Sequence, residues 1–145
     1  MTAWVRFLRA HAALTRELSA RLEADHGLTM SDFDVLIQLY HAPDHAMRRV
    51  DIARQVLLTA SGITRLLDGL ERSGLVAKRA CETDARVSYA VLTEEGRRKV
   101  EEARSTHHAD IDELFGAALA PREREQLAEL LSRLPLAPTA KDCSD

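Results

Sequence analysis

Apolar positions recur along the first part of the chain with the spacing of an α-helix. Phe7, His11, Leu14, Leu18 and Leu22 fall three or four apart and share one stripe, which predicts a helix over residues 4–24. Gly27 is a natural stop, because glycine takes the left-handed position after a helix without a Cβ penalty. Ser31 with Asp34 three residues later has the spacing of a capping box. Phe33, Leu36, Ile37 and Tyr40 then predict the core face of a second helix, ended by Ala42-Pro43-Asp44. A short third helix is expected from Asp51 to about Leu57, with Ile52, Ala53 and Val56 inward. Leu58-Thr59 reads as a turn, with Thr59 as N-cap of a fourth helix over residues 60–73. There Ile63, Leu66, Leu67 and Leu70 stand at i, i+3, i+4 and i+7, and Ser73-Gly74-Leu75 closes the helix in the manner of a C-cap.

The rhythm then changes. Val76–Cys81 and Val87–Leu92 are short β-prone runs around the polar loop Glu82-Thr83-Asp84-Ala85-Arg86, and they predict a two-stranded hairpin. Thr93 is placed to cap a long helix whose near-heptad stripe is Val100, Ala103, His107, Ile111, Leu114, Phe115 and Ala118. Its roughly 25 residues would span nearly 40 Å. Pro121 suits the first position of a last helix with Leu127, Leu130, Leu131 and Leu134 on one face, and Pro135 ends it before a loose tail. The expectation is a mainly α chain with a small β-hairpin, an α+β class, without internal repeat or second domain over residues 1–145. A short helix, tight turn, second helix and hairpin, in that order, describe a winged helix-turn-helix over residues 31–98.

Composition narrows the function. Apolar residues are 46% and charged residues 30%, a globular balance. No apolar run approaches a membrane span and no signal peptide opens the chain, so a cytoplasmic protein without a membrane partner is expected. The two cysteines, Cys81 and Cys143, lie far apart and suggest neither a disulfide framework nor a zinc ribbon. Net charge is −3, yet residues 47–98 carry ten basic groups against seven acidic ones. That stretch is therefore +3 and the remainder −6. A basic middle can face phosphates while the acidic remainder limits unspecific adhesion.

Geometry selects the side chains. At about 100° per residue, the apolar set of the fourth helix leaves Ser61, Thr64, Arg65, Asp68 and Arg72 on the other side or its flank. With the helix N-terminus in a major groove, Ser61, Thr64 and Arg65 are the expected base readers, and Arg72 meets phosphate or solvent. Arg86 is placed at the hairpin tip to enter a minor groove, Asp84 to hold its guanidinium, and Lys78 and Arg79 to meet backbone phosphates.

The run TASGITRLLDGLERSGLVAKRACETDARVSYAVLT, residues 59–93, resembles the signature of the MarR (multiple antibiotic resistance regulator) family. The matching positions are Thr64-Arg65-Leu66, Leu70-Glu71, Gly74-Leu75-Val76, Asp84, Arg86, Leu92-Thr93 and Gly96, and the order of helices extends the likeness over residues 4–134. Ala85 within the D-x-R and Ala120 before Pro121 are departures that bear on wing and dimer detail. The resemblance implies a homodimer built by residues 4–24 and 94–134, two recognition helices on a pseudo-palindromic duplex DNA operator, repression, and release by a small-molecule effector. Trp4, Phe7 and His11 are candidates to line a pocket for an aromatic acid or phenol, set against a packed core histidine.

Other readings stay open beside it. His107-His108 with Asp110 and Asp112 supply only one i, i+4 pair, where zinc needs three or four ligands, so no metal is assigned. Cys81 beside the wing is either an oxidation switch or an inert thiol. The chain has no G-x-S-x-G, no H-E-x-x-H, no Gly-rich phosphate loop and no clustered carboxylates, so no catalytic residue and no cofactor are expected. A winged helix used only for protein–protein contact is the second alternative.

Overall fold

The computed structural model describes residues 1–56, 60–81, 84 and 86–134. Helix α1 (Thr2–His26) ends as expected at Gly27, whose φ is 66° and whose N–H donates to the Glu23 carbonyl at 2.8 Å. Of the predicted stripe only Leu22 is fully buried. Leu14 and Leu18 are half-buried, and Phe7 and His11 are exposed.

Helix α2 (Met30–His41) is capped differently from the expected Ser31–Asp34 box. Thr29 is the N-cap: its Oγ1 accepts from Asp32 N–H at 3.1 Å, while the Asp32 carboxylate accepts from Thr29 N–H at 3.0 Å. The cap lies two residues earlier because Leu28, only 3% exposed, anchors the chain in the core and Thr29 leaves it extended. Asp34 instead falls inside the helix, where burial pushes its carboxyl pKa up and a hydrogen bond with Gln38 partly offsets this. The core face is also wider than predicted. Val35 and Leu39 are enclosed along with Phe33 and Leu36, and Ile37 and Tyr40 pack at its edge.

After a 3₁₀ turn at Pro43–His45 comes strand β1 (Ala46–Arg48), which no periodicity announced because three residues carry none. Helix α3 (Arg49–Gln55) begins two residues earlier than expected and buries Ile52, with Ala53 and Val56 packed against the core. The predicted end at Leu57, the Leu58-Thr59 turn and the Thr59 cap lie outside the described residues. Helix α4 (Ala60–Arg72) buries Ile63, Leu67 and Leu70, with Leu66 packed against them. Strands β2 (Val76–Ala80) and β3 (Ser88–Leu92) form the expected antiparallel pair, but β1 pairs along the other edge of β3. The two-stranded hairpin is thus part of a three-stranded sheet of order β1-β3-β2.

Residues 1–107 and 108–145 form two compact units. The core of the first gathers Leu22, Leu36, Leu39, Ile52 and Leu67 with Val100 and Ala103 of helix α5 (Glu94–Ile111). Thr93 caps α5 as expected, accepting at Oγ1 from Gly96 N–H at 3.0 Å, and the same hydroxyl donates to the Gly74 carbonyl at 2.6 Å. In the second unit a π-helical turn, Asp112–Gly116, interrupts the stripe predicted to run on to Ala118. Ala117 N–H donates there to the Asp112 carbonyl at 2.8 Å. Helix α6 (Pro121–Ser132) starts at Pro121, and Glu123 stands in for the missing Ala120 cap by accepting from Ala120 N–H at 2.7 Å. Leu127 and Leu131 are half-buried, and Leu130 and Leu134 are exposed. The tail from Pro135 lies outside the described residues. Among those residues no helix is long and apolar enough to cross a membrane.

Gly69 lies in the interior of α4, and a Cβ built there meets nothing within 4 Å. Gly69→Ala is therefore expected to raise stability by about 1 kcal/mol, because alanine has the better helix propensity and restricts the unfolded chain. Thermal unfolding should shift upward by about 3 °C. A lower midpoint would contradict this placement of the glycine.

Candidate nucleic-acid interface

Burial of Ile63, Leu67 and Leu70 sets the orientation of α4 and leaves Thr64, Arg65, Asp68 and Arg72 exposed on its other side. The side chain of Ser61 lies outside the described residues. Asp68 is drawn to Arg49 at the start of α3, whose Nη2 donates to Asp68 Oδ1 at 3.3 Å. The acid on this face is thus answered from outside the helix. No salt bridge among the described residues engages Arg65 or Arg72.

The wing differs from expectation in two respects. Asp84 does not clamp the Arg86 guanidinium; its Oδ1 accepts from the Arg86 backbone N–H at 2.9 Å. An aspartate reaches its own chain two residues on with little loss of freedom, so Asp84 shapes the turn, and Val87 N–H donates to its carbonyl at 3.0 Å. The Arg86 side chain is exposed and in no salt bridge among the described residues. Lys78 and Arg79, adjacent on β2, leave the sheet on opposite faces. Lys78 lies opposite buried Ala90, whereas Arg79 lies opposite Tyr89 with its guanidinium carbon 5.5 Å from the ring centroid. They cannot both address one line of phosphates from the same face.

The sheet register adds residues that sequence reasoning counted as basic but did not place. Arg48 of β1 lies opposite the other side of Tyr89, so Arg48, Tyr89 and Arg79 form one row across the three strands. Arg48 Nε donates to Asp51 at 2.8 Å, and this bond pushes the already high guanidinium pKa further up. Its neighbour Arg49 holds Asp68. The one sequence signal for this group was the Arg48-Arg49 pair three and two residues before Asp51; Tyr89 gave none, because the role depends on pairing with β1.

Trp4, Phe7 and His11 stand in sequence along one side of α1, with ring centroids 6.2 and 6.3 Å apart. All three are exposed in the single chain, so its own core does not pack His11. His107 is half-buried with its ring edge-on to Phe33 at 5.2 Å, whereas His108 is exposed. Among the described residues no group of three or more side chains is placed to hold a metal ion. Cys81 is half-buried directly after β2.

Comparison with known proteins places this geometry. A family model described as the MarR family matches residues 26–87. The HTH-type transcriptional regulator MhqR of Bacillus subtilis is 33% identical over 128 residues, covering 88% of this chain and 86% of that protein. The crystal structure of AbsC, a MarR family transcriptional regulator from Streptomyces coelicolor, superposes with a TM-score of 0.82 at 30% identity, covering 90% of this chain and 87% of that one. Sco3205 from the same organism, a MarR family regulator crystallised with DNA, shares the fold with a TM-score of 0.84 at 24% identity, covering 90% and 82%.

Proposed function

The chain belongs to the MarR family of transcriptional regulators, and from that premise we propose that it is a homodimeric repressor that reads a pseudo-palindromic operator and releases it when a small molecule binds. The observation that carries the DNA reading is the unbroken connection from recognition helix to wing. Asp68 of α4 meets Arg49, Arg49 follows Arg48, and Arg48 shares a row with Tyr89 and Arg79 on the strand that leads into the wing. With the first turns of α4 in the major groove, Thr64 and Arg65, together with Ser61, reach base edges. Arg72, Arg79, Arg48 and, from the rim of the other sheet face, Lys78 supply phosphate contacts, and Arg86 enters the minor groove on a turn held by Asp84.

Surface that one copy leaves open supports the dimer. Trp4 is 59% exposed and Phe7 and Leu8 are more than 40% exposed on α1, and Leu130 and Leu134 of α6 are more than half exposed. A two-fold partner would cover such faces, and the Trp4–Phe7–His11 row would then form part of an effector pocket for an aromatic acid.

Selection of bound duplexes from a random pool tests the reading. The expected product is an inverted repeat with half-sites about one helical turn apart; a pool without enrichment, or with a single unrepeated site, would overturn it. Arg86→Ala is expected to weaken all duplexes alike by several-fold and to reduce the slope of log K against log salt by about 1. Anisotropy titrations across a salt series measure both quantities, and an unchanged slope would remove Arg86 from the interface.

A further inference from the structure

In the row Arg48–Tyr89–Arg79 the two arginines are held in different ways. Arg48 commits its Nε–H to Asp51 Oδ2 at 2.8 Å, and the same carboxylate, 3.8 Å from Arg54, offsets part of the positive charge there. Arg79 has no such acid. Among the described residues the only hydrogen-bond, ionic or ring partner of its guanidinium is Tyr89, with Cζ 5.5 Å from the ring centroid. Residues 77–80 of β2 are all exposed, so no buried neighbour on its own strand confines Arg79.

Tyr89 itself is well anchored. It belongs to β3, the central strand, and pairs with Arg48 on one side and Arg79 on the other, so its backbone is fixed from both edges. Its side chain is half-buried, whereas Arg79 is exposed. A ring attracts a guanidinium through its face and takes up none of the N–H groups. The donors of Arg79 therefore stay available, and a neutral ring cancels no charge. A carboxylate at position 89 would confine the arginine too, but would neutralise it. An arginine that is already confined gives up less rotamer freedom when it docks on a phosphate.

We infer that Tyr89 is a positioning residue of the DNA interface, its ring holding the Arg79 guanidinium ready for a backbone phosphate with donors and charge intact. The inference rests on the DNA reading above and gives Tyr89 no base or phosphate of its own. Tyr89 acts through Arg79, and its removal should affect all duplexes alike because phosphates carry no sequence information.

The test uses the full chain, first without DNA and then with one mixed-sequence duplex of about 24 base pairs, since phosphate contacts need no operator. Without DNA, NMR is expected to show an ordered Arg79 Nε–H and Arg79 side-chain resonances displaced by the ring current. Tyr89→Phe should retain both; Tyr89→Ile, which keeps a β-prone apolar side chain, should lose both. With the duplex, Tyr89→Ile is expected to weaken binding by about two- to fivefold, the size of an exposed cation–π contact. The slope of log K against log salt should fall in the direction of Arg79→Ala, which loses about 1. Tyr89→Phe should bind like the unaltered protein. In the Arg79→Ala background Tyr89→Ile should change neither quantity further, whereas a purely structural role of the ring would add its loss undiminished. Equal order of Arg79 with and without the ring, or additive losses in the double variant, would overturn the inference and leave the DNA reading standing. Failure of the unaltered chain to bind the duplex at low salt would overturn both. Should Tyr89→Ile not fold, by its thermal transition, the unaltered chain and Tyr89→Phe decide: Arg79 resonances at the values of an unconfined arginine would overturn the inference.

Discussion

Arg65→Ala is expected to lower affinity for the selected operator by about 10- to 100-fold while leaving the thermal midpoint nearly unchanged. The magnitude follows from the 1–3 kcal/mol that an arginine paired with a base edge contributes to discrimination, at about 1.4 kcal/mol per tenfold. The near-neutral stability follows from position: Arg65 is exposed, bears no salt bridge among the described residues, and lies on the side of α4 away from Ile63, Leu67 and Leu70. The loss should be selective. Preference at one base-pair position per half-site relaxes, and affinity for unrelated duplex falls far less. That pattern separates Arg65 from Arg86, whose removal should act on all sequences alike. Titration of the variant against the operator and its single-position changes at fixed salt measures the effect. An affinity within about twofold of the unaltered protein, against the losses expected for a base reader, would take Arg65 out of that role.

Gly96→Ala is expected to cost about 3 kcal/mol or more, the upper end of overpacking effects and a large share of an ordinary domain's stability. A Cβ at position 96 would lie 2.1 Å from the Leu75 carbonyl oxygen and 2.8 Å from Leu92 Cδ1. The leucine side chain can turn aside, but the carbonyl is backbone and already accepts from Thr93 N–H at 3.1 Å. Moving it breaks the join between the end of α4 and the start of α5, where Thr93 also binds the Gly74 carbonyl. Urea unfolding should show a lower midpoint with an unchanged slope. The same substitution at Gly69 should stabilise, since helix propensity acts there without a clash. Equal behaviour of the two variants would show that α5 can slide to make room, and the close packing at Gly96 would lose its structural meaning.

Most helices were legible because amphipathic periodicity is a local property. Ile63, Leu67 and Leu70 identify the inner face of α4 from spacing alone, and that spacing leaves Thr64, Arg65 and Arg72 on the outer one. Pro121 and Gly27 marked boundaries because their backbone preferences are intrinsic. Caps were less legible. Thr29-Asp32 and Ser31-Asp34 have equal spacing, and the choice between them was made by the burial of Leu28 directly before Thr29, a matter of packing rather than pattern.

The amino-acid order by itself determined the succession of helices and the two hairpin strands, the face of the recognition helix and the concentration of positive charge between residues 47 and 98, since each depends on neighbours a few positions apart. Tertiary structure decided what depends on distant parts of the chain meeting. Strand β1 exists because residues 46–48 find Tyr89, Ala90 and Val91, and only that pairing gathers Arg48 and Arg79 about one ring. The partner of Asp68 is nineteen residues away at Arg49, and the carbonyl that accepts from the Thr93 hydroxyl is nineteen residues away at Gly74. Backbone propensity and side-chain period act over one or two turns of chain, whereas hydrogen-bond partners, ion pairs and cavities are set by the packing of the whole unit.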